Sequence, residues 1–583
     1  MTPGHQALTS TETPDALGAR MLTEVVRLHG ALRAAPLPLD LPGVSALRQA
    51  REQVIEQLED YVIPRLTEIE APLLVVVGGS TGAGKSTLVN TLVGHKVTTP
   101  GLLRPTTRSP VLVHHPDEGH WFGPERLLPE LTRVAEPTHD QASIQLVPSP
   151  QVPRGLAILD APDVDSVDEG NRQLAAQLLS AADLWLFVTS AARYSDQVPW
   201  EHLRTAVERN TAVALVLSRT PADDVTTVSV HLARMMAARG LKDSPLFAVP
   251  QGEVSEDGLL PTSYAAEIRD WLDVLAADSA GRRSVVSQTV AGAVRTVTRK
   301  AFPIADAAQL QVEAVAGLLA SADEVHDEAQ RSLLAAAGDG SLLRGDLLAR
   351  WQEFVGSGEL LRSTEAKVGF VRERLVNAIK GKPQQAERVG VAIEMALEAA
   401  VVDHAERAAA QAAAAWSTEE YGARLLASTT DDLTRAGRAL RTRTEKEVRG
   451  WLEELAEFVR HEAADVRHTA RFLALGVRGL STALAAVALA GPAADATGTA
   501  VRPGESLLET VLGRAAADRL VDQARGNLER RLTGLLGGER ARYLAPAEQW
   551  QLRPDAPDQL RQAARRVDDL RFAAAKKGTG GHL

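Results

Sequence analysis

The sequence predicts an α/β domain with a doubly wound, mostly parallel sheet, joined to a large all-α helical bundle. Three observations carry this expectation. The aliphatic run Leu73 to Val77 ends in a glycine-rich turn followed by helical spacing, as expected of a parallel strand buried on both faces. From there to Ala277, strand-like and helix-like segments alternate, the order that a doubly wound sheet requires. After Asp278 the strand signals stop and long helical periodicities take over.

The elements follow in order. Residues Ala19 to Arg33 and Val44 to Ile69 place apolar side chains at helical spacing. Strands are expected at Leu73 to Val77, Val111 to His114, Ile144 to Val147, Leu156 to Asp160, Leu184 to Thr189, Val213 to Ser218 and Leu246 to Val249. Helices are expected at Ser86 to Gly94, Glu169 to Ala182, Trp200 to Arg209, Val228 to Gly240 and Tyr264 to Ala277. Beyond these lie long helical segments at Val312 to Ala336, Glu365 to Ile379, Glu387 to Trp416, Thr430 to Leu475 and Leu507 to Leu535, lengths that fit an extended bundle. The expected division is 1–70 for the N-terminal helices packing with the C-terminal bundle and 71–278 for the α/β domain. The helical region then runs over 279–545, and a last helix with a flexible tail over 546–583.

The turn after the first strand matches GxxxxGK[ST] from Gly79 through Ser86. Glycines let the backbone close so that several N–H groups point into one concavity and grip phosphate oxygens. The residues expected to hold a nucleoside triphosphate are therefore Gly79, Ser80, Thr81, Gly82, Ala83, Gly84, Lys85, Ser86 and Thr87. Lys85 neutralises the β- and γ-phosphates, Ser86 offers a hydroxyl to Mg²⁺, and the helix aims its positive N-terminus at the same anion. Asp160, at the C-terminal tip of LAILD, is placed to hold Mg²⁺ through its water shell. The proline-bounded loop RPTTRSP, Arg104 to Pro110, carries threonines suited to ligate Mg²⁺ and hold an attacking water.

Composition bounds the alternatives. A chain of 583 residues is too long for one core. There is no cysteine, which excludes disulfides, thiol catalysis and cysteine-ligated metals. The net charge of −11 argues against broad nucleic-acid binding, so no nucleic-acid partner is expected. The opening residues MTPGHQALTSTETPD have neither a basic nor an apolar signal region, and the absence of cysteine fits a cytoplasmic setting.

GGSTGAGKST, PTTRSP, LDAPD and ADLWLFVTSAARYSD together resemble the translation-factor class of P-loop GTPases. The tetrapeptide TRSP, Thr107 to Pro110, resembles the switch motif of the dynamin superfamily, and the helix-rich remainder resembles bacterial dynamin-like proteins of actinobacterial type. The resemblance implies a Mg²⁺-dependent GTPase in which Lys85, Thr107 and Thr81 are the catalytic candidates. It makes Ser86, Thr107 and Asp160 the metal residues. It implies a helical neck and stalk built from N- and C-terminal segments, self-association through GTPase domains and helices, a possible paralogous GTPase partner, and a place at the inner face of the cell membrane.

Three departures from the family pattern matter. Asp163 stands where the switch-two glycine gives its N–H to the γ-phosphate, so its carboxylate lies near phosphate charge unless it turns away. Thr81 and Gly82 hold the P-loop places where dynamins carry polar groups that help catalysis, so turnover is expected to be slow or to rely on another group. In place of the guanine-selecting Asn-Lys-x-Asp, the sequence LVLSRTPADD puts Ser218 and Arg219 at Asn-Lys and Pro221 at the aspartate; Asp223 or Asp224 substitutes only if the loop is longer. GTP is the expected nucleotide and ATP the alternative.

The segment 472–494, FLALGVRGLSTALAAVALAGPAA, is alanine-rich, charged only at Arg478, and short for a membrane span. It is either a membrane-inserting paddle that contacts lipid and breaks at Gly491 and Pro492, or a buried helix of the bundle. Two functional alternatives stand beside a membrane-remodelling GTPase: a soluble regulatory GTPase, and a scaffold that binds nucleotide with slow or no hydrolysis.

Overall fold

In the computed structural model the described residues are 14–99, 109–138, 140–166, 168–209, 211–356, 382–465, 469–490 and 498–579. The chain forms two units: Met1–Leu37 with Pro42–Leu310 and Leu552–Leu583, and Pro38–Leu41 with Gln311–Gln551.

In the first unit, α1 (Pro14–Arg33) and α2 (Val44–Gln57) precede a π-helical turn, Leu58–Val62, and the short α3 (Ile63–Thr67). Then comes β1 (Leu73–Gly79), buried at every residue, and α4 (Lys85–Val93). The sheet continues with β2 (Val111–His114), β3 (Thr132–Val134), β4 (Ser143–Pro148) and β5 (Leu156–Asp160). Next are α5 (Glu169–Ser180), β6 (Leu184–Ser190), α6 (Gln197–Arg209), β7 (Ala212–Thr220), α7 (Val225–Ala238), β8 (Leu246–Pro250) and α8 (Ala266–Ala277). Strand order is β3-β4-β2-β5-β1-β6-β7-β8. Every pairing is parallel except β2 with β5, where Val111 faces Asp160 and His114 faces Ala157.

The expected strands are present within two residues at each end. The addition is β3, whose half-exposed Thr-Arg-Val carries no apolar run to announce it. The P-loop strand β1 lies between β5 and β6, which puts the C-terminal tips of all three beside the glycine-rich turn, where α/β sheets bind ligands.

A buried carboxylate ties the helices to the opposite end of β1. Asp183, just before β6, accepts from Tyr61 Oη (3.0 Å), from the backbone N–H of Leu74 (2.7 Å) and from the Arg65 guanidinium. Its own carbonyl accepts from Thr289 Oγ1 at 3.4 Å, on α9 (Ser279–Gly338). Arg65 and Asp183 are 1% and 0% exposed, so the pair persists through these added hydrogen bonds rather than through solvent. The C-terminal helix Ala556–Thr579 packs along α1.

The second unit comprises the rest of α9 with α10 (Gly345–Val355), α11 (Lys382–Ser417), α12 (Glu420–Ser428), α13 (Leu440–Glu462), α14 (Ala470–Ala490), α15 (Gly498–Leu512), α16 (Arg514–Ala541) and α17 (Leu544–Glu548). Its core centres on α14: Leu480 and Ala483 to Ala490 are buried against α11, α13, α15 and α16. The described part of 472–494 thus takes the buried-helix form of the two alternatives; Gly491 and Pro492 fall outside the described residues. Arg525 donates to the carbonyls of Ala488 (3.1 Å) and Val487 (3.2 Å), and Gly340 N–H to that of Leu489 (3.0 Å). Carbonyls in the last turn of a buried helix need such partners. Among the described residues no helix is long and apolar enough to cross a membrane.

Trp351 and Phe354 are core residues, their rings 5.8 Å apart. Two expected helices are broken. Thr430 to Leu475 starts late, its first ten residues being non-helical up to Leu440, where Glu539 accepts from Gly437 N–H (2.6 Å) and Arg542 binds Asp431 (2.8 Å). It is interrupted after Glu462, and α14 itself kinks at Gly476. Leu507 to Leu535 breaks at Gly513, where φ is 83° and ψ 150°. The expected helix Glu365 to Ile379 lies outside the described residues.

Candidate functional site

The site is built where β1 gives way to α4. Gly79 has φ of 144°, and a Cβ there would sit 1.9 Å from the carbonyl oxygen of Val188 on β6; only glycine lets β1 turn so close to its neighbour. Gly82 has φ of 75° with nothing near its absent side chain, so its requirement is conformational alone. Lys85 is the first residue of α4 and 6% exposed. Its ammonium donates to the carbonyls of Gly79 (3.1 Å) and Ser80 (3.2 Å) and pairs with Asp163. The Asp163 carboxylate therefore turns into the turn rather than away from it.

Asp160 ends β5 and is 7% exposed. Thr98 Oγ1 donates to its Oδ2 at 2.9 Å, and Oδ1 is buried without a hydrogen-bond partner. Burial pushes its carboxyl up from the usual range, while hydrogen bonds from Ser86 and Thr98 and the Lys85 charge oppose the rise. A buried orphan acceptor beside a serine hydroxyl fits a hydrated cation, so Ser86 and Asp160 are chemically suited to Mg²⁺. Among the described residues no group of three or more His, Asp or Glu side chains is placed to hold a metal ion. Thr107, with Arg104 to Arg108, lies outside the described residues.

Ser218 and Arg219 close the other side. The Ser218 hydroxyl donates to the Ala83 carbonyl and also lies 3.2 Å from the carbonyl oxygen of Thr189. Arg219, at φ 51°, donates to the Gly82 carbonyl at 2.6 Å. Both residues brace the glycine-rich turn. Asp223 and Asp224 precede α7, and Asp224 makes no side-chain cap.

Two participants escaped the sequence reading. Asp165 Oδ1 accepts from both the backbone N–H and the hydroxyl of Thr81, each at 2.6 Å, and Asp165 Oδ2 accepts from Arg193 at 2.8 Å. Asp165 lies two residues past Asp163 in the same DAPDVD run, a signal in plain sight. Arg193 sits in the turn after β6, and nothing in its local sequence marks it.

The dynamin family model matches residues 75–220, the span from β1 to β7 that frames this site. The chain carries a dynamin-family domain. Within it lie the glycine-rich turn, Asp160, Asp163 and the Ser218–Arg219 pair. A curated relative, a probable transmembrane GTPase FZO-like protein of the chloroplast in Arabidopsis thaliana, is 26% identical over 132 residues. That match covers 23% of this chain and 13% of the relative's length. Two solved structures are of an oligomerised bacterial dynamin pair described as a mechanism for long-range sensing and tethering of membranes. One is 10% identical, covers 98% of this chain and 97% of its own, and has a TM-score of 0.38. The other is 11% identical, with coverages of 97% and 96% and a TM-score of 0.37.

Proposed function

We propose that this dynamin-family protein binds and hydrolyses GTP with Mg²⁺ and couples that cycle to membrane remodelling through its helices. The observation that carries the reading is Lys85 at the head of α4, inside a turn braced from behind by Ser218 and Arg219. This is a cradle with a cation at its centre, set within the dynamin-family span. The turn's N–H groups and Lys85 would bind and orient the phosphates. Mg²⁺ held by Ser86, Thr107 and water on Asp160 would supply charge neutralisation on the transferring phosphoryl. Thr107 would hold the attacking water by its backbone, and Thr81 would face the phosphates.

Ser218 and Arg219 would support the base pocket from the P-loop side, which favours GTP by analogy of position with the Asn-Lys pair. Self-association, a paralogous partner and action at the inner membrane face belong to the same reading. Lipid contact through 472–494 would require α14 to leave the core of its unit, so lipid-dependent exposure of that helix is part of the proposal. Titration of full-length chain with GTP and ATP side by side, followed by single-turnover hydrolysis, tests the reading. GTP bound at least tenfold tighter than ATP and cleaved by the wild type but not by Lys85→Ala supports it. Equal affinity, or hydrolysis that survives Lys85→Ala, refutes it.

A further inference from the structure

Three donors of the glycine-rich turn, the Lys85 ammonium and the Thr81 amide and hydroxyl, are matched to acidic side chains from one short segment. Asp163 takes the Lys85 ammonium. Asp165 takes the Thr81 amide and hydroxyl through one oxygen and Arg193 through the other. The backbone holds the segment in place: Val164 N–H donates to the Gly79 carbonyl at 3.3 Å and Ser166 N–H to that of Asp163 at 3.3 Å. Asp165 is 11% exposed at its side chain and Lys85 6%, against 40% for Arg193 and 34% for Asp163, so each charge-assisted bond has one desolvated end and one end open to solvent. A carboxylate on an ammonium and a carboxylate on a backbone N–H with a neighbouring hydroxyl are the contacts a terminal phosphate makes.

We propose that Asp163 and Asp165 act as a built-in competitor of the γ-phosphate, and that their displacement hands Arg193 from Asp165 to the transferring phosphoryl as a charge-stabilising group in cis. The inference rests on the GTPase reading above and adds to it a cation the P-loop itself lacks. A triphosphate on Lys85 and the Thr81 amide brings several negative charges into the space the two carboxylates fill, and the repulsion displaces both. Arg193 then loses its closest carboxylate, Asp196 being 3.7 Å away, and turns to the nearest dense anion. In the reaction the water oxygen bonds to the γ-phosphorus and the bond from that phosphorus to the β–γ bridging oxygen breaks. The electron pair leaves on the diphosphate, and the water protons pass to the phosphate product and solvent. Arg193 stabilises charge on the oxygens in flight.

The test uses full-length wild type, Asp165→Asn, Arg193→Ala and Arg193→Lys, each checked for native thermal unfolding. Affinities are measured for a non-hydrolysable GTP analogue and for GDP in Mg²⁺, and hydrolysis is followed in single turnover. Asp165→Asn, which removes the competitor's charge but keeps its shape, is expected to tighten the triphosphate analogue on the order of tenfold and GDP much less. Arg193→Ala is expected to slow cleavage of bound GTP about a hundredfold while leaving GDP affinity within about twofold, with partial recovery in Arg193→Lys. Wild-type binding and cleavage matched by both Asp165→Asn and Arg193→Ala overturns this inference alone. A wild type that binds no nucleotide better than Lys85→Ala overturns the GTPase reading and the inference with it. If one aspartate variant unfolds, Asp163→Asn supplies the same comparison at Lys85.

Discussion

Gly79→Ala is the substitution whose cost follows most directly from the geometry. The new Cβ would meet the Val188 carbonyl oxygen at 1.9 Å, whereas ordinary van der Waals contact begins at 3.4 Å. The oxygen is backbone and the Cβ is fixed rigidly to backbone, and the two strands are paired here, Gly79 lying opposite Val188 in the β1–β6 register. No side chain can swing aside, so the strands must part by about 1.5 Å at that point. Parting forfeits the last ladder bonds of the pair, at about 1 kcal/mol each, and leaves an alanine at φ 144°, a further strain of roughly 1–3 kcal/mol. The sum is on the order of 3–4 kcal/mol. Gly82→Ala is the control: φ is 75° but the space is open, so about 1–2 kcal/mol is expected. Urea unfolding, followed by the far-ultraviolet signal of the sheet-containing transition, measures both. With a slope of roughly 3 kcal/mol per molar, Gly79→Ala lowers the midpoint by about 1 M and Gly82→Ala by less than about 0.7 M. Equal midpoints for the two variants would refute the steric argument.

Three further outcomes are expected. Burial pushes the Asp60 carboxyl up to about 7, assisted by Glu56, Glu59 and Glu130 and opposed by a hydrogen bond from Gln177. The folded value exceeds the unfolded one, so this group's contribution is complete below about pH 4 and is lost as pH rises through 7. Asp60→Asn should flatten that decline, worth up to about 4 kcal/mol, in urea midpoints measured from pH 4 to 8. Asp183→Ala strands the buried Arg65 charge and should cost about 3–5 kcal/mol, against about 1 kcal/mol for Tyr61→Phe; similar small losses would argue against the buried clamp. Leu484→Asp places an uncompensated charge in the core of the second unit and should unfold it or lower its urea midpoint strongly without lipid present. An unchanged midpoint would mean that α14 is exposed in solution.

The sheet was legible because its strands are apolar runs cut off by turns. Leu156–Asp160 and Val111–His114 begin and end where the sequence places them, and β3 was hidden because three half-exposed residues have no period to read. Helix ends were less legible. The late start at Leu440 depends on Glu539, about a hundred residues away in sequence, gathering Gly437, Arg443 and Arg542, and local spacing does not register such a partner. The site shows the same division. Lys85, Ser86 and Asp160 are motif residues, while Arg193 enters only because β6 ends beside β1. The alanine-rich segment was ambiguous because a buried bundle helix and a membrane element draw on the same composition, and only its surrounding helices separate them.

The two ends of β1 have different employers. At Gly79 the strand delivers the glycine-rich turn; at Leu74 its N–H is held by Asp183, which also holds Tyr61 and Arg65 from the preceding helices and, through its carbonyl, Thr289 of α9. Four residues of extended backbone, Val75 to Gly78, with no loop between them, join these points. β1 thus forms a direct, loop-free link between the glycine-rich turn and the helical collar around Asp183. A change in how the collar holds Asp183 therefore has a short covalent path, along one buried strand, to Gly79.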